Sequence, residues 1–243
     1  MVLASLFLAT RGTLAHGGRA PFTFWGGFTR SAFPCQKAIA RAARLCAVRT
    51  VELRQRCSRN SDLPTCSPDQ VEARRRTIEL QSLDLISAAC NDRAAVEVGF
   101  LGTIEAQSDI ATVCSRVDRD LRDFFDLAAR AASDDRTCAN TVAGSLTQIL
   151  RTATDLWVRA FDRMAFKVLA PSRKNLLVTR TRQRISLAAA KLAHTGNQNC
   201  RESFVLSTFG EPLEQLLSRP ARLAECVTGA AFVQDAVHCD PNP

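Results

Sequence analysis

The cysteines constrain the fold of this chain more than any other feature. Cys35, Cys46 and Cys57 are spaced eleven residues apart, about three helical turns, so they fall near one face of a helix. Ile39, Ala42 and Leu53 continue that apolar stripe, while Arg41, Arg44, Arg49, Glu52, Arg54 and Arg56 take much of the remaining surface. The SRNSDLPTC segment that follows is rich in turn formers. A second helix is predicted from Ser67-Pro68-Asp69-Gln70, where Ser67 is a candidate N-cap, Pro68 suits the first helical position and Gln70 is placed to close a capping box. It runs through Val71, Ile78, Leu85 and Ala89 to Cys90. The arms span 22 residues from Cys35 to Cys57 and 24 from Cys66 to Cys90. Packed antiparallel, their ends come level within about 3 Å. That match predicts disulfides Cys35–Cys90 and Cys57–Cys66, each expected to contribute about 2–4 kcal/mol. The other reading of these cysteines is as reduced residues of an apolar core.

A hydrophobic share of 46% over 243 residues supports a packed core, in one domain or two small ones. Ten cysteines point to an oxidising compartment. Residues 1–34 differ from the rest: the apolar run from Val2 to Ala9 is too short to span a membrane, and a glycine- and aromatic-rich stretch follows it. This leader is a candidate signal peptide, with Thr13-Leu14-Ala15 as its small-residue cleavage site. No later segment has the length of uncharged apolar residues that a transmembrane helix requires.

Beyond Cys90, Gly99-Phe100-Leu101-Gly102 marks a bend. A third helix is predicted from Ser108-Asp109, with Ile110, Val113, Val117, Leu121, Phe124 and Ala128 as its stripe and Cys114 beside it. Asp118/Arg122 and Asp126/Arg130 are acid-before-base pairs that support its surface. Residues 133–136 form a polar connector and a candidate boundary. A fourth helix opens near Cys138 on a stripe of Val142, Leu146, Ile149, Ala153, Leu156, Ala160 and Met164, and stops before Pro171. A fifth is predicted from a Ser172 cap to a C-cap at Gly196. Helical stretches around Val205–Leu217 and Ala221–Val237 follow, broken at Pro220.

The two halves can be superposed in sequence. Cys35-x3-Ile39 corresponds to Cys138-x3-Val142, and Thr77-Ile78-Glu79-Leu80 to Arg184-Ile185-Ser186-Leu187. Each half also carries a Gly/Phe pair between its later cysteines, Gly99-Phe100 and Phe209-Gly210. This predicts a degenerate duplication: residues 35–132 as module 1 and 138–243 as module 2. Cys138–Cys200 is a third candidate disulfide by analogy with the first copy. Cys114, Cys226 and Cys239 have no assigned partner, and Cys46 is read as a buried small hydrophobe in preference to a reactive thiol.

The string CQKAI, the second cysteine after LRQRC, ISAAC-ND closing the next helix, and then VGFLG and IATVC resemble a family of uncharacterised exported bacterial proteins built from cysteine-paired helical hairpins. The resemblance covers Cys35 to about Ala132 well and the second half loosely. It implies an all-helical, disulfide-linked, exported protein and no activity. Cys46 is extra to that pattern, and the second copy lacks the turn-side pair.

Motifs for chemistry are missing from the sequence. There is no C-x-x-C, P-loop, G-x-G-x-x-G or G-x-S-x-G, and His16, His194 and His238 are scattered, so no catalytic residue, cofactor site or metal site is assigned. A net charge of +8 permits an anionic partner such as nucleic acid, lipid headgroups or an acidic polysaccharide. The densest basic runs, Arg74-Arg75-Arg76 and Arg180, Arg182 and Arg184, fall in corresponding arms of the two halves and are the candidate anion-binding residues. No aromatics interleave them, so base stacking is not indicated.

The expectation is therefore an all-α protein of six to seven helices in two tandem disulfide-linked hairpin modules, secreted or periplasmic. Its expected role is a non-catalytic structural or binding module of the bacterial envelope, with an anionic polymer or envelope component as partner. Two other readings stand beside it: an enzyme or small-molecule carrier with a site between helices, and a cytosolic basic protein that binds nucleic acid.

Overall fold

Proline and small capping residues punctuate the chain into helices. The computed structural model describes residues 32–167 and 169–232; residues 1–31 of the predicted leader, Cys239 and the tail lie outside them, while Phe33 and Pro34 of that leader belong to the first helix. Pro34 sits in the first turn of α1 (Phe33–Arg59), and Pro68 opens α2 (Pro68–Ala89) with Ser67 as its N-cap residue. Ser67 makes no side-chain cap, so the predicted capping box does not form. A short 3-10 turn, Pro64–Cys66, joins the two helices.

The chain then makes α3 (Asp92–Glu97), a helix too short to show a period in sequence. Asn91 caps it, accepting the Ala94 backbone N–H at 2.8 Å. α4 (Thr103–Ala129) begins five residues before the predicted Ser108 start. Asp92 explains the earlier start: its Oδ1 accepts the Thr103 N–H at 3.0 Å and satisfies a donor that the first turn leaves open. Glu105 likewise accepts the Leu101 N–H.

A 3-10 turn at Ser133–Asp135 leads into α5 (Arg136–Phe166). α6 (Pro171–Asn199) starts at Pro171 with Ala170 as N-cap, so Ser172 lies inside the first turn. Gly196 does not end it. A Cβ there would overlap Leu213 Cδ2, so the glycine is a close-approach point inside the helix. α7 (Glu202–Phe209) ends at Gly210, whose φ of 80° is left-handed. α8 (Leu213–Ala231) then runs straight through Pro220. The missing N–H there costs about 3 kcal/mol. Burial of Leu216, Leu217, Leu223 and Val227 offsets it, each contributing about 1.5–3 kcal/mol. The described residues thus form eight α-helices, more than the six to seven expected. The surplus over seven is the short corner helix α3, and the break expected at Pro220 lies instead at Gly210, which divides the predicted Val205–Leu217 stretch between α7 and α8.

The packing repeats. α1 packs on α2 and α4, and α5 packs on α6 and α8. α1, α4, α5 and α8 also touch one another, with α2 laid against α1 and α4 and α6 against α5 and α8. Residues of both halves enter one continuous core, from Ile39, Val51, Val117 and Leu121 to Leu150, Trp157, Leu216 and Val227. α1 and α5 run antiparallel in a single register: Phe33 meets Phe166, Arg44 pairs with Asp155, Arg151 with Glu52, and Arg59 reaches the Asn140 carbonyl. Glu52 and Asp155 each stand seventeen residues after the cysteine that opens their helix. Each of these acids receives an arginine from the opposite helix, Asp155 from Arg44 and Glu52 from Arg151, so charge pairs run both ways across the α1–α5 contact.

Candidate binding surface

The cysteines come first, because they fix the helices that carry the charges. Cys35 and Cys90 are bonded across the open end of α1 and α2, with Cα atoms 4.6 Å apart. Cys57 and Cys66 are bonded at the turn, at 5.2 Å. Cys138 and Cys200 join the start of α5 to the end of α6 at 4.9 Å. Cys46, read as a buried hydrophobe, is instead bonded to Cys114 on α4, with Cα atoms 5.5 Å apart. Both sulfurs are fully buried. In sequence each cysteine lies on or beside the apolar stripe of its helix, which marks both as buried without pairing them. Cys226 is also disulfide-bonded.

The six candidate arginines separate into two groups. On α2, Arg75 donates to Glu72 (2.9 Å) and to Glu79 (2.8 Å), and Arg76 donates to Glu72 at 3.2 Å. The Arg75 hydrogen bond, helped by the Arg75 charge and by Arg76, holds the Glu72 carboxyl down at about 2 against the opposing effect of burial. Arg74 lies beside a shallow groove shared with Arg49, Glu52 and Arg56. With Asp69 and Asp84 added, α2 carries four acids against three arginines. Its run of arginines is answered within its own helix.

On α6 the balance differs. The helix has six basic residues and no acid over 29 residues. Arg182 turns toward α8 and pairs with Glu225 at 2.6 Å. Arg180 and Arg184 are exposed and make no ion pair among the described residues. Arg173 and Lys191, which the local-run reading passed over, are exposed and unpaired in the same sense. The four residues lie at steps of seven, four and seven, so they fall within about 40° of one another around the helix and form one row about 27 Å long. Local density in sequence picked out the runs. Helical angle picks out the row.

Behind α6 lies a groove of about 660 Å³ between α5, α6 and α8, with Trp157, Ile185, Ala189 and Ala221 along its walls and Arg222 and Glu214 at its edge. In the first half, a groove of similar size between α1, α2 and α4 is polar, bordered by Arg54, Glu72, Arg76 and Arg122. Two of these arginines, Arg54 and Arg122, converge on buried Asp118 of α4. Arg54 donates to both its oxygens, at 2.7 and 3.0 Å, and Arg122 adds a further contact. Burial pushes the Asp118 carboxyl up, but the hydrogen bonds and charges of Arg54 and Arg122 outweigh it and hold it below the usual carboxylate range.

Among the described residues, no three His, Cys, Asp or Glu side chains converge in a way that would hold a metal ion. His194 contacts Gln198 at 3.2 Å. No described helix is long and apolar enough to cross a membrane. No protein-family model, curated protein or solved structure matches the chain.

Proposed function

We propose that this protein is a non-catalytic binding module that engages an anionic polymer or surface through α6. One observation carries the reading: four cations in a single exposed row on a helix without acids, held rigid by the Cys138–Cys200 link and by packing on α5 and α8. Arm α2 serves as an internal contrast, since its Arg75 and Arg76 are already paired with Glu72 and Glu79. The cysteine pairing is consistent with an oxidising, extracytoplasmic setting.

The test uses the disulfide-intact chain and a sulfated polysaccharide. Four released counterions predict that affinity falls about 20-fold between 50 and 150 mM salt. Replacing Arg180 and Arg184 with Gln is expected to weaken binding at least tenfold, and replacing the paired Arg75 and Arg76 with Gln to leave it within about twofold. Equal losses from the two pairs would remove the reading.

The apolar groove between α5, α6 and α8 supports a second reading, a carrier of a small apolar molecule. Saturable one-to-one binding of an apolar fluorophore, abolished by Ala189→Phe in a chain that still folds, is the expected result for that reading. No saturable binding would reject it.

A further inference from the structure

The outward side of α6 carries more than charge. Leu176 is 47% exposed and Leu187 is 71% exposed. They stand eleven residues apart, three turns, and so project from one face. Helical angle places that face directly opposite the buried side formed by Thr181, Ile185 and Ala193, with the cation row Arg173, Arg180, Arg184 and Lys191 running beside it. A polyanion would be served by the cations alone and gains nothing from bare leucines.

We propose that α6 docks onto a membrane surface rich in anionic lipid, lying flat in the headgroup layer. This rests on the anionic-ligand reading above and names its ligand. Leucines project inward to the acyl boundary, while the arginine and lysine stems extend sideways so that their charged ends stay at the phosphates. The helix lies on the outside of α5 and α8 and is already folded, so it docks as a preformed ridge without the ordering cost that a disordered basic segment would bear.

The experiment compares the intact, disulfide-bonded chain on three probes: neutral phosphatidylcholine vesicles, vesicles containing one-third phosphatidylglycerol, and a soluble sulfated polysaccharide. Vesicle flotation is expected only with the anionic lipid. Arg180→Gln with Arg184→Gln is expected to reduce partitioning about 30-fold. Leu176→Ser with Leu187→Ser is expected to reduce it about tenfold, while polysaccharide binding by the same variant stays within twofold. Both leucines are exposed, so helicity by circular dichroism should be unchanged. If the polysaccharide binds through Arg180 and Arg184 but the leucine pair has no effect on vesicles, the lipid proposal falls and the broader anionic reading stands. If neither probe depends on Arg180 and Arg184, both fall. A chain that sediments as a dimer until the leucines are replaced, without vesicle binding, would assign this face to a second copy and overturn the proposal.

Discussion

The seam between α1 and α4 carries a buried ion pair and a disulfide, whereas the corresponding seam between α5 and α8 is apolar and aromatic. Cys46 and Ile149 each stand eleven residues after the opening cysteine of their helix, and Arg54 and Trp157 each stand nineteen. In the first half those places hold one end of the Cys46–Cys114 bond and one end of the Arg54–Asp118 pair. In the second half they hold buried Ile149 and Trp157, and Trp157 stacks on Phe161 with ring centroids 5.2 Å apart. Phe161 in turn meets Phe232 at 5.3 Å. The same backbone arrangement is thus closed in two ways, once by charge and sulfur and once by aromatic area. A buried ion pair specifies its partner at little net gain in stability, while aromatic burial contributes directly and tolerates sliding.

The largest expected effect comes from breaking the polar seam. Asp118→Ala leaves Arg54, only 15% exposed, without its partner, and is expected to cost about 3–5 kcal/mol in chemical denaturation. Replacing Arg54 and Asp118 together with Leu imitates the second half and should recover much of that loss. A double variant as unstable as the single one would show that the two seams are not alternative solutions. The same pair gives a pH signature. Asp118 has a depressed folded pKa, so its contribution is fully present above the unfolded carboxylate range near 4 and is lost as pH falls through the lower folded value. Acid unfolding of Asp118→Asn is therefore expected to be shallower than that of the parent chain.

Next in size is the covalent link. Cys46→Ala with Cys114→Ala is expected to lower stability by about 2–4 kcal/mol, less if the unfolded chain stays compact, as read by thermal melting. Gly196→Ala tests the contact between α6 and α8. Four residues before the closing cysteine, the first half has buried Ile86 and the second has Gly196 facing Leu213. The added methyl must displace Leu213, at about 1–3 kcal/mol. The smallest effect concerns the interface between the halves. Glu52→Gln removes the half-exposed pair with Arg151 and is expected to cost less than about 1 kcal/mol. A larger loss would mean that the antiparallel contact between α1 and α5 depends on these charges more than on the apolar residues beneath them.

How legible the molecule was in its sequence depended on distance along the chain. Stripes such as Val142, Leu146 and Ile149 gave the long helices, because a period of 3.6 is a local property. The short α3 lacked enough turns to show one, and α7 was merged with the start of α8 in the stretch predicted from Val205 to Leu217. The start of α4 was hidden because its cap, Asp92, comes from the preceding helix. Gly196 and Pro220 were read as helix breakers from local propensity, and tertiary packing overrode both. For the candidate surface, Arg180 and Arg184 stood out in sequence, but the contrast with Arg75 and Arg182 needed the positions of Glu79 and Glu225.

The sequence alone determined the helical class and the hairpin lengths that bring Cys35 level with Cys90. It also determined the acid-free character of α6. These follow from periodicity and residue spacing along one chain. Tertiary structure decided that Cys46 meets Cys114, that the halves share one core, and that, among the described residues, Arg182 finds an acid while Arg180 does not. Each of these depends on which face of one helix meets which face of another. Burial and charge pairing between distant segments choose that arrangement, and no local pattern encodes it.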